Sequence, residues 1–281
     1  MKKYTLLLLI LLIPSLLFGC AEPHEETQVA ATTLPVWQFA SRLCEGTDIS
    51  VTRLVTESVS CLHDYTLQVS QMRAIESADL VILSGADLEH FMEEALEKAS
   101  AAVDSSRNID LLPGEEEVDP HIWLAPENAK TMARNICDGL KAQFPEYADR
   151  FDANLTGLLS DLDQLQAYGE STLAELSCRE LITFHDGFSY FAQAFGLTIL
   201  EAVEEESGSE ASAAELTGLI DLVKRENLPA IFTETNGSTA AAQVIASETG
   251  VEVFALDMAM AGDDYFAAMY HNIDTIKEAL G

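Results

Sequence analysis

The chain reads as an α/β protein built from two doubly wound parallel-sheet lobes joined by a long helix. Short apolar strands alternate with amphipathic helices over residues 29–145, and the same alternation returns over residues 177–281. Between them, residues 146–176 keep a helical spacing of apolar side chains and no strand pattern. Strands this short and this apolar have no face to give to water, which is the mark of a sheet covered by helices on both sides.

In the first lobe, residues 29–33 form the first strand, and Pro35, whose fixed φ suits a first helical position, opens a helix to Glu45 with Val36, Phe39, Ala40 and Leu43 on one face. Gly46 ends it. Residues 49–55 alternate apolar and polar as a strand, and residues 56–64, which have no periodicity, are a loop carrying His63. A helix over 67–78, an apolar strand over 80–83, a turn at Gly85 and a helix over 89–102 follow. Residues 108–112 are expected as the fourth strand, broken by Pro113-Gly114, and Pro126 starts a helix that lasts to Phe144.

The linking segment places Phe151, Leu155, Leu158, Leu162 and Leu165 at spacings of four and three. A continuous helix of about 30 residues would extend about 45 Å, with a bend expected at Gly169. So stiff a connection implies limited hinge motion. The second lobe then reads as strands over 181–184, 197–203, 229–233 and 251–256, alternating with helices over 188–195, 213–225, 239–249 and 263–280.

The N-terminus sets the compartment. Lys2-Lys3 followed by an almost unbroken apolar run to Phe18 is a signal peptide, residues 1–19. The run ends at Leu17-Phe18-Gly19-Cys20, which resembles the lipobox of bacterial lipoproteins, so Cys20 is the expected lipidation site and residues 20–28 a polar tether. The mature chain is therefore expected outside the cytoplasm, at the cell surface or in the periplasm, anchored through lipid. A net charge of -32, from 47 acidic against 15 basic residues, argues against nucleic acid or anionic lipid as a partner. Cys44, Cys61, Cys137 and Cys178 lack the Cys-x-x-Cys spacing of a thiolate metal site. Their pairing is left open, although a Cys44–Cys61 bond is disfavoured because the two fall at opposite ends of the expected lobe.

Doubly wound sheets bind ligands in the crevice at the carboxyl ends of their strands, and four candidates for metal coordination fall there. His185 directly follows one strand and Asp257 another, while His63 and His121 lie in the loops after the second and fourth strands. Three imidazoles and one carboxylate suit four-coordinate Zn²⁺; a site richer in carboxylate would favour Mn²⁺. Glu234, which also ends a strand, is the rival to Asp257. His90 and His271 fall inside expected helices, and His24 lies in the tether, so these are read as surface residues. Within Asp119-Pro120-His121-Ile122-Trp123-Leu124, Pro120 is expected to stiffen the loop and Trp123 to pack beneath it, leaving His121 to meet the ion.

That stretch with Pro126-Glu127-Asn128-Ala129, the segment Thr183-Phe184-His185-Asp186-Gly187-Phe188-Ser189-Tyr190-Phe191, and the closing Leu256-Asp257 with Gly262-Asp263-Asp264-Tyr265 resemble the zinc- and manganese-binding subunits of bacterial ABC importers. The resemblance implies two α/β lobes with the ion between them, ligands at His63, His121, His185 and Asp257, and a permease with its ATPase as partners of a monomeric receptor. A histidine at the position of His185 goes with zinc in that family, a glutamate with manganese. Here Cys61-Leu62-His63-Asp64-Tyr65-Thr66-Leu67 stands where the family usually has Asp-Pro-His-x-Tyr-Glu-Pro. The function expected is capture of Zn²⁺ and its delivery to the permease, without chemistry. The rival readings are a Mn²⁺ receptor, a zinc-dependent hydrolase, for which no His-Glu-x-x-His or Gly-x-Ser-x-Gly motif is present, and a surface adhesin.

Overall fold

Each half of the chain folds around a four-stranded parallel sheet, and the two sheets repeat one strand order. The computed structural model describes residues 28–57, 62, 65–114, 118–203 and 212–281. In the first lobe β1 (Gln28–Ala31), β2 (Ser50–Arg53), β3 (Leu80–Leu83) and β4 (Ala102–Asp104) line up as β2-β1-β3-β4, with α1 (Leu34–Leu43), α2 (Val69–Ser77), the short α3 (Glu93–Leu96) and α4 (Pro126–Gln143) around them. The second lobe contains β5 (Glu180–Thr183), β6 (Thr198–Ala202), β7 (Ala230–Glu234) and β8 (Glu252–Leu256) in the order β6-β5-β7-β8, with α6 (Ser189–Phe195), α7 (Ala213–Glu226), α8 (Ala240–Thr249) and α9 (Tyr265–Leu280). The strand order therefore reverses between β1 and β3 and again between β5 and β7, the two places where such sheets open a crevice.

The connecting helix, α5 (Ala148–Thr172), follows a single 3₁₀ turn at Pro145–Tyr147. It runs through Gly169 as one helix. The missing side chain at Gly169 serves packing, since a Cβ there would lie 2.2 Å from the ring of Phe195. Phe151, Leu158, Leu162 and Leu165 are wholly buried on the face of α5 that meets α1, α4 and α9. One continuous apolar core thus includes Leu34, Phe39 and Trp123 of the first half together with Phe188, Phe191 and Tyr265 of the second.

Two expectations fail in the first lobe. The fourth strand is Ala102–Asp104, paired with β3 from Val81 to Leu83, and residues 108–112 are irregular. The helix expected over 89–102 shrinks to a 3₁₀ turn at His90–Met92 and α3. An Ala-Ala-Val run looks like a helix tail by propensity, but Val103 fills the space left by Gly139 on α4, and sheet pairing there outweighs local preference. His90 is exposed on the 3₁₀ turn and His271 exposed on α9. Cys44 and Cys137 are buried free thiols, their pKa values pushed up by burial to about 12 and about 11, and Cys178 is also free. The expected signal peptide, Cys20, most of the tether, Cys61 and His63 lie outside the described residues. Among the described residues no helix is long and apolar enough to cross a membrane.

At the crevice end of the first sheet, a buried carboxylate organises the loops. Glu89 accepts from the Thr32 hydroxyl at 2.7 Å, from the Ser84 amide at 2.7 Å and from the Gly85 amide at 3.0 Å. The chain passes over it with positive φ at Gly85, Ala86 and Asp87, and a Cβ on Gly85 would fall 1.9 Å from an Asp104 carboxylate oxygen. Burial holds the Glu89 carboxyl up at about 7, against the pull of its hydrogen-bond donors toward the charged form. The folded protein then keeps a proton that the unfolded chain has released, so stability falls as pH rises from 4.5 to about 7. Relative to Glu89→Gln, the wild-type chain is expected to lose about 3 kcal/mol across that window. Denaturant melts of both proteins at pH 5 and pH 8 measure this, and a constant difference between them would show that Glu89 titrates normally.

Candidate metal centre

The second lobe sets its imidazole by strand register. Thr183 of β5 pairs with Phe232 of β7, and the Phe184 amide extends the ladder to the Phe232 carbonyl. Two residues further on, His185 stands opposite Glu234, with Nδ1 3.1 Å from Oε1. The Thr183 hydroxyl donates to the His185 carbonyl at 3.0 Å and turns the chain out of the sheet there. Both side chains are buried.

In the first lobe, a tight turn before α4 fixes the other imidazole. Asp119 Oδ1 accepts from the His121 amide at 2.9 Å and faces its Nδ1 at 2.8 Å. A 3₁₀ turn at Ile122–Leu124 follows, with Trp123 wholly buried beneath the loop, as its place in the motif suggested. The opposite lobe helps to hold this turn: the Tyr190 hydroxyl on α6 donates to the Asp119 carbonyl at 3.0 Å and accepts from the Leu112 amide at 2.9 Å.

The two rings meet edge to face, with centroids 5.1 Å apart and Nε2 3.3 Å from Nε2. Each Nδ1 faces a carboxylate, so we assign the proton of each neutral ring to Nδ1. Both Nε2 atoms then carry lone pairs, and two lone pairs cannot hydrogen-bond to each other. Two nitrogens bound to one tetrahedral zinc at 2.0–2.1 Å are about 3.3 to 3.4 Å apart, which is the spacing found. The arrangement is the one in which carboxylates orient imidazoles toward a metal. Gly187 permits the approach, since a Cβ there would lie 2.6 Å from the His185 ring and 3.0 Å from the His121 ring.

Asp257 begins the loop after β8. Asn272, buried on α9, clamps it by accepting from its amide and donating to its carbonyl, each at 2.7 Å. Its Oδ1 accepts from the Ala259 amide at 2.7 Å. It lines a small pocket with Glu234, Thr235, Asn236, Met258, Met260 and Ala261. Among the described residues, no three of His, Cys, Asp and Glu stand close enough to form a metal shell. The structure therefore joins His121 with His185, keeps Asp257 on the neighbouring pocket wall, and leaves His63 outside the described residues. Sequence reasoning missed Asp119 and Gly187 as parts of the site; Glu234, named there as the rival to Asp257, lies against His185 Nδ1 and shares the pocket wall with Asp257. The strand register, had it been known, would have placed Glu234.

Two α/β lobes with paired imidazoles at their junction define the class: a solute-binding receptor for a metal cation. The comparisons agree. Residues 29–279 match the family described as zinc-uptake complex component A, periplasmic, and the chain belongs to that family. It is 27% identical over 299 residues to the manganese-binding lipoprotein MntA of Halalkalibacterium halodurans, covering 100% of this chain and 99% of that one. It is 26% identical over 309 residues to the zinc-binding lipoprotein AdcA of Streptococcus pneumoniae, covering 99% of this chain but 61% of the longer relative. A crystal structure of ZnuA superimposes with a TM-score of 0.82 at 29% identity, over 91% of this chain and 100% of that one.

If Asp119 and Glu234 orient the two rings, Asp119→Asn and Glu234→Gln each weaken zinc binding by roughly 10- to 100-fold. Calorimetric titration checks this, and unchanged affinity in both variants would remove the carboxylates from that role.

Proposed function

We propose that the chain is an extracytoplasmic, lipid-anchored receptor that captures Zn²⁺ between its lobes and delivers it to an ABC permease driven by a cytosolic ATPase. His121 and His185 form the core of the shell, and His63 and Asp257 complete it from the first and second halves of the chain. The observation that carries the reading is the 3.3 Å approach of two Nε2 atoms, each backed by a carboxylate on the far side of its ring. Family membership supports a metal as cargo, and relatives named for zinc and for manganese leave the ion to be argued from the donors. Imidazole nitrogen favours zinc over manganese in the ordinary order of affinities. The lipid anchor rests on Cys20 at the end of the apolar leader and on the lipoprotein names of relatives.

Coordinating imidazoles must be neutral, so capture weakens as pH falls. Cross-bonding of the lobes implies that binding fixes a nearly preformed site and does not close an open jaw.

Competitive titration of residues 21–281 under reducing conditions tests the assignment. Zinc is expected to displace manganese, and His121→Ala is expected to lose more than the roughly 10- to 100-fold of an outer-shell change. Manganese held as tightly as zinc would overturn the choice of ion, and a His121→Ala protein with wild-type affinity would overturn the site.

A further inference from the structure

The loop from Asp257 to Tyr265 belongs by sequence to the second lobe, yet it is hydrogen-bonded to the first at Met258, Met260, Gly262, Asp264 and Tyr265. The Asn272 clamp on Asp257 is its anchor on α9. Beyond that point the carbonyls of alternate residues point across the junction. The Met258 carbonyl accepts from the Trp123 indole at 2.8 Å. The Met260 carbonyl accepts from Arg53 Nη2 at 2.8 Å, and the Gly262 carbonyl from Arg53 Nη1 at 2.5 Å. Gln38 of α1 then accepts from the Tyr265 amide at 2.6 Å and donates to Asp264 at 3.1 Å, and the Tyr265 hydroxyl returns to the Trp123 carbonyl at 2.8 Å.

Arg53 is the centre of this strap. It is the last residue of β2, the edge strand of the first sheet, and its Nε also donates to the Val55 carbonyl at 2.6 Å. All three donor nitrogens of one guanidinium are therefore spent on carbonyls, two of them across the lobe junction. Only the planar fork of arginine reaches three acceptors in this way; a lysine ammonium is a single point charge on a flexible stem. Partial burial pulls the Arg53 pKa below its ordinary value, and the nearby charges of Asp263 and Glu57 oppose that pull.

Resting on the metal-receptor reading, we infer that Arg53 is a positioning residue for metal retention: its guanidinium straps the loop behind Asp257 onto the first lobe, so that the carboxylate side of the site moves with the lobe that carries His121. With the loop held by Arg53 at the Met260 and Gly262 carbonyls, Asp257 keeps its place once the ion is bound; if the ion meets the imidazoles before the carboxylate, the strap stabilises the bound state more than the transition state for capture. The residue therefore governs how slowly the metal leaves more than how fast it arrives.

The test uses Arg53→Gln and Arg53→Lys, with Arg225→Gln at the exposed Arg225–Glu226 pair as control. Hydrogen exchange on the metal-free proteins is expected to speed up about tenfold at amides 258–265 in both Arg53 variants, the effect of losing about one charge-assisted hydrogen bond, with exchange in α4 unchanged. Release of zinc to a chelator, followed by stopped flow, is expected to be about tenfold faster, with association within about twofold of wild type. Unchanged exchange at 258–265 would overturn the strap, and faster exchange with unchanged release would overturn its hold on the metal. Equal losses in association and retention, or general loss of protection in α4, would reduce Arg53 to a folding residue and also overturn the inference. A wild-type chain that bound no zinc would sink the receptor reading itself, while exchange without metal would still decide for or against the strap.

Discussion

Two neutral imidazoles that aim lone pairs at one point repel each other and gain nothing in the absence of a cation, so something else must hold them there. In this protein the carboxylates do so, one behind each ring, and each carboxylate is held in turn by a different kind of backbone constraint. Asp119 is fixed by the local turn that it caps for His121, and Glu234 by its place at the end of a central strand next to the one that His185 follows. The site is thus a consequence of one local turn and one sheet register brought face to face. The packing between the halves makes them a pair, and Tyr190 of the second half also holds the Asp119 turn of the first.

That packing resembles a single domain more than two. α5 buries Phe151, Leu158, Leu162 and Leu165 against helices of both halves, and the main buried cluster draws side chains from both, from Val29 to Leu280, while each half keeps a smaller cluster of its own. Polar cross-links add direction: Tyr190 reaches the Asp119 turn, Trp123 reaches Met258, and Tyr265 reaches Trp123. A dense core resists continuous deformation, which keeps the two imidazoles at a spacing suited to a small ion.

Much of this architecture was legible in the sequence because it rests on periodicity. The alternation of buried strands and helices, the long apolar stripe of α5 and the histidines at strand ends are all one-dimensional patterns. Where the reading failed, tertiary contact overrode a local pattern: Ala102 looks like the end of a helix but pairs with β3, and the next residue, Val103, packs into the space that Gly139 leaves on α4. The donors His121 and His185 could be named from their positions in motifs. Glu234 could be named but not given its role, because facing across a sheet depends on a register that single-chain patterns do not contain. Asp119 and Gly187 stood inside recognised motifs, and only the ring geometry shows why an acid and a residue without a side chain are needed at those places.

The unbroken core bears on how the molecule comes apart. Neither half can retain its apolar face alone, since α5 would be stripped of α1 and α4 on one side or of α9 on the other. Heating should therefore melt the described chain in one cooperative step, and cutting within 146–176 should not liberate two stable pieces. A receptor of this build cannot trade affinity for flexibility by loosening one lobe: any substitution that frays either sheet is felt at once by the whole fold, and so by the ion it holds.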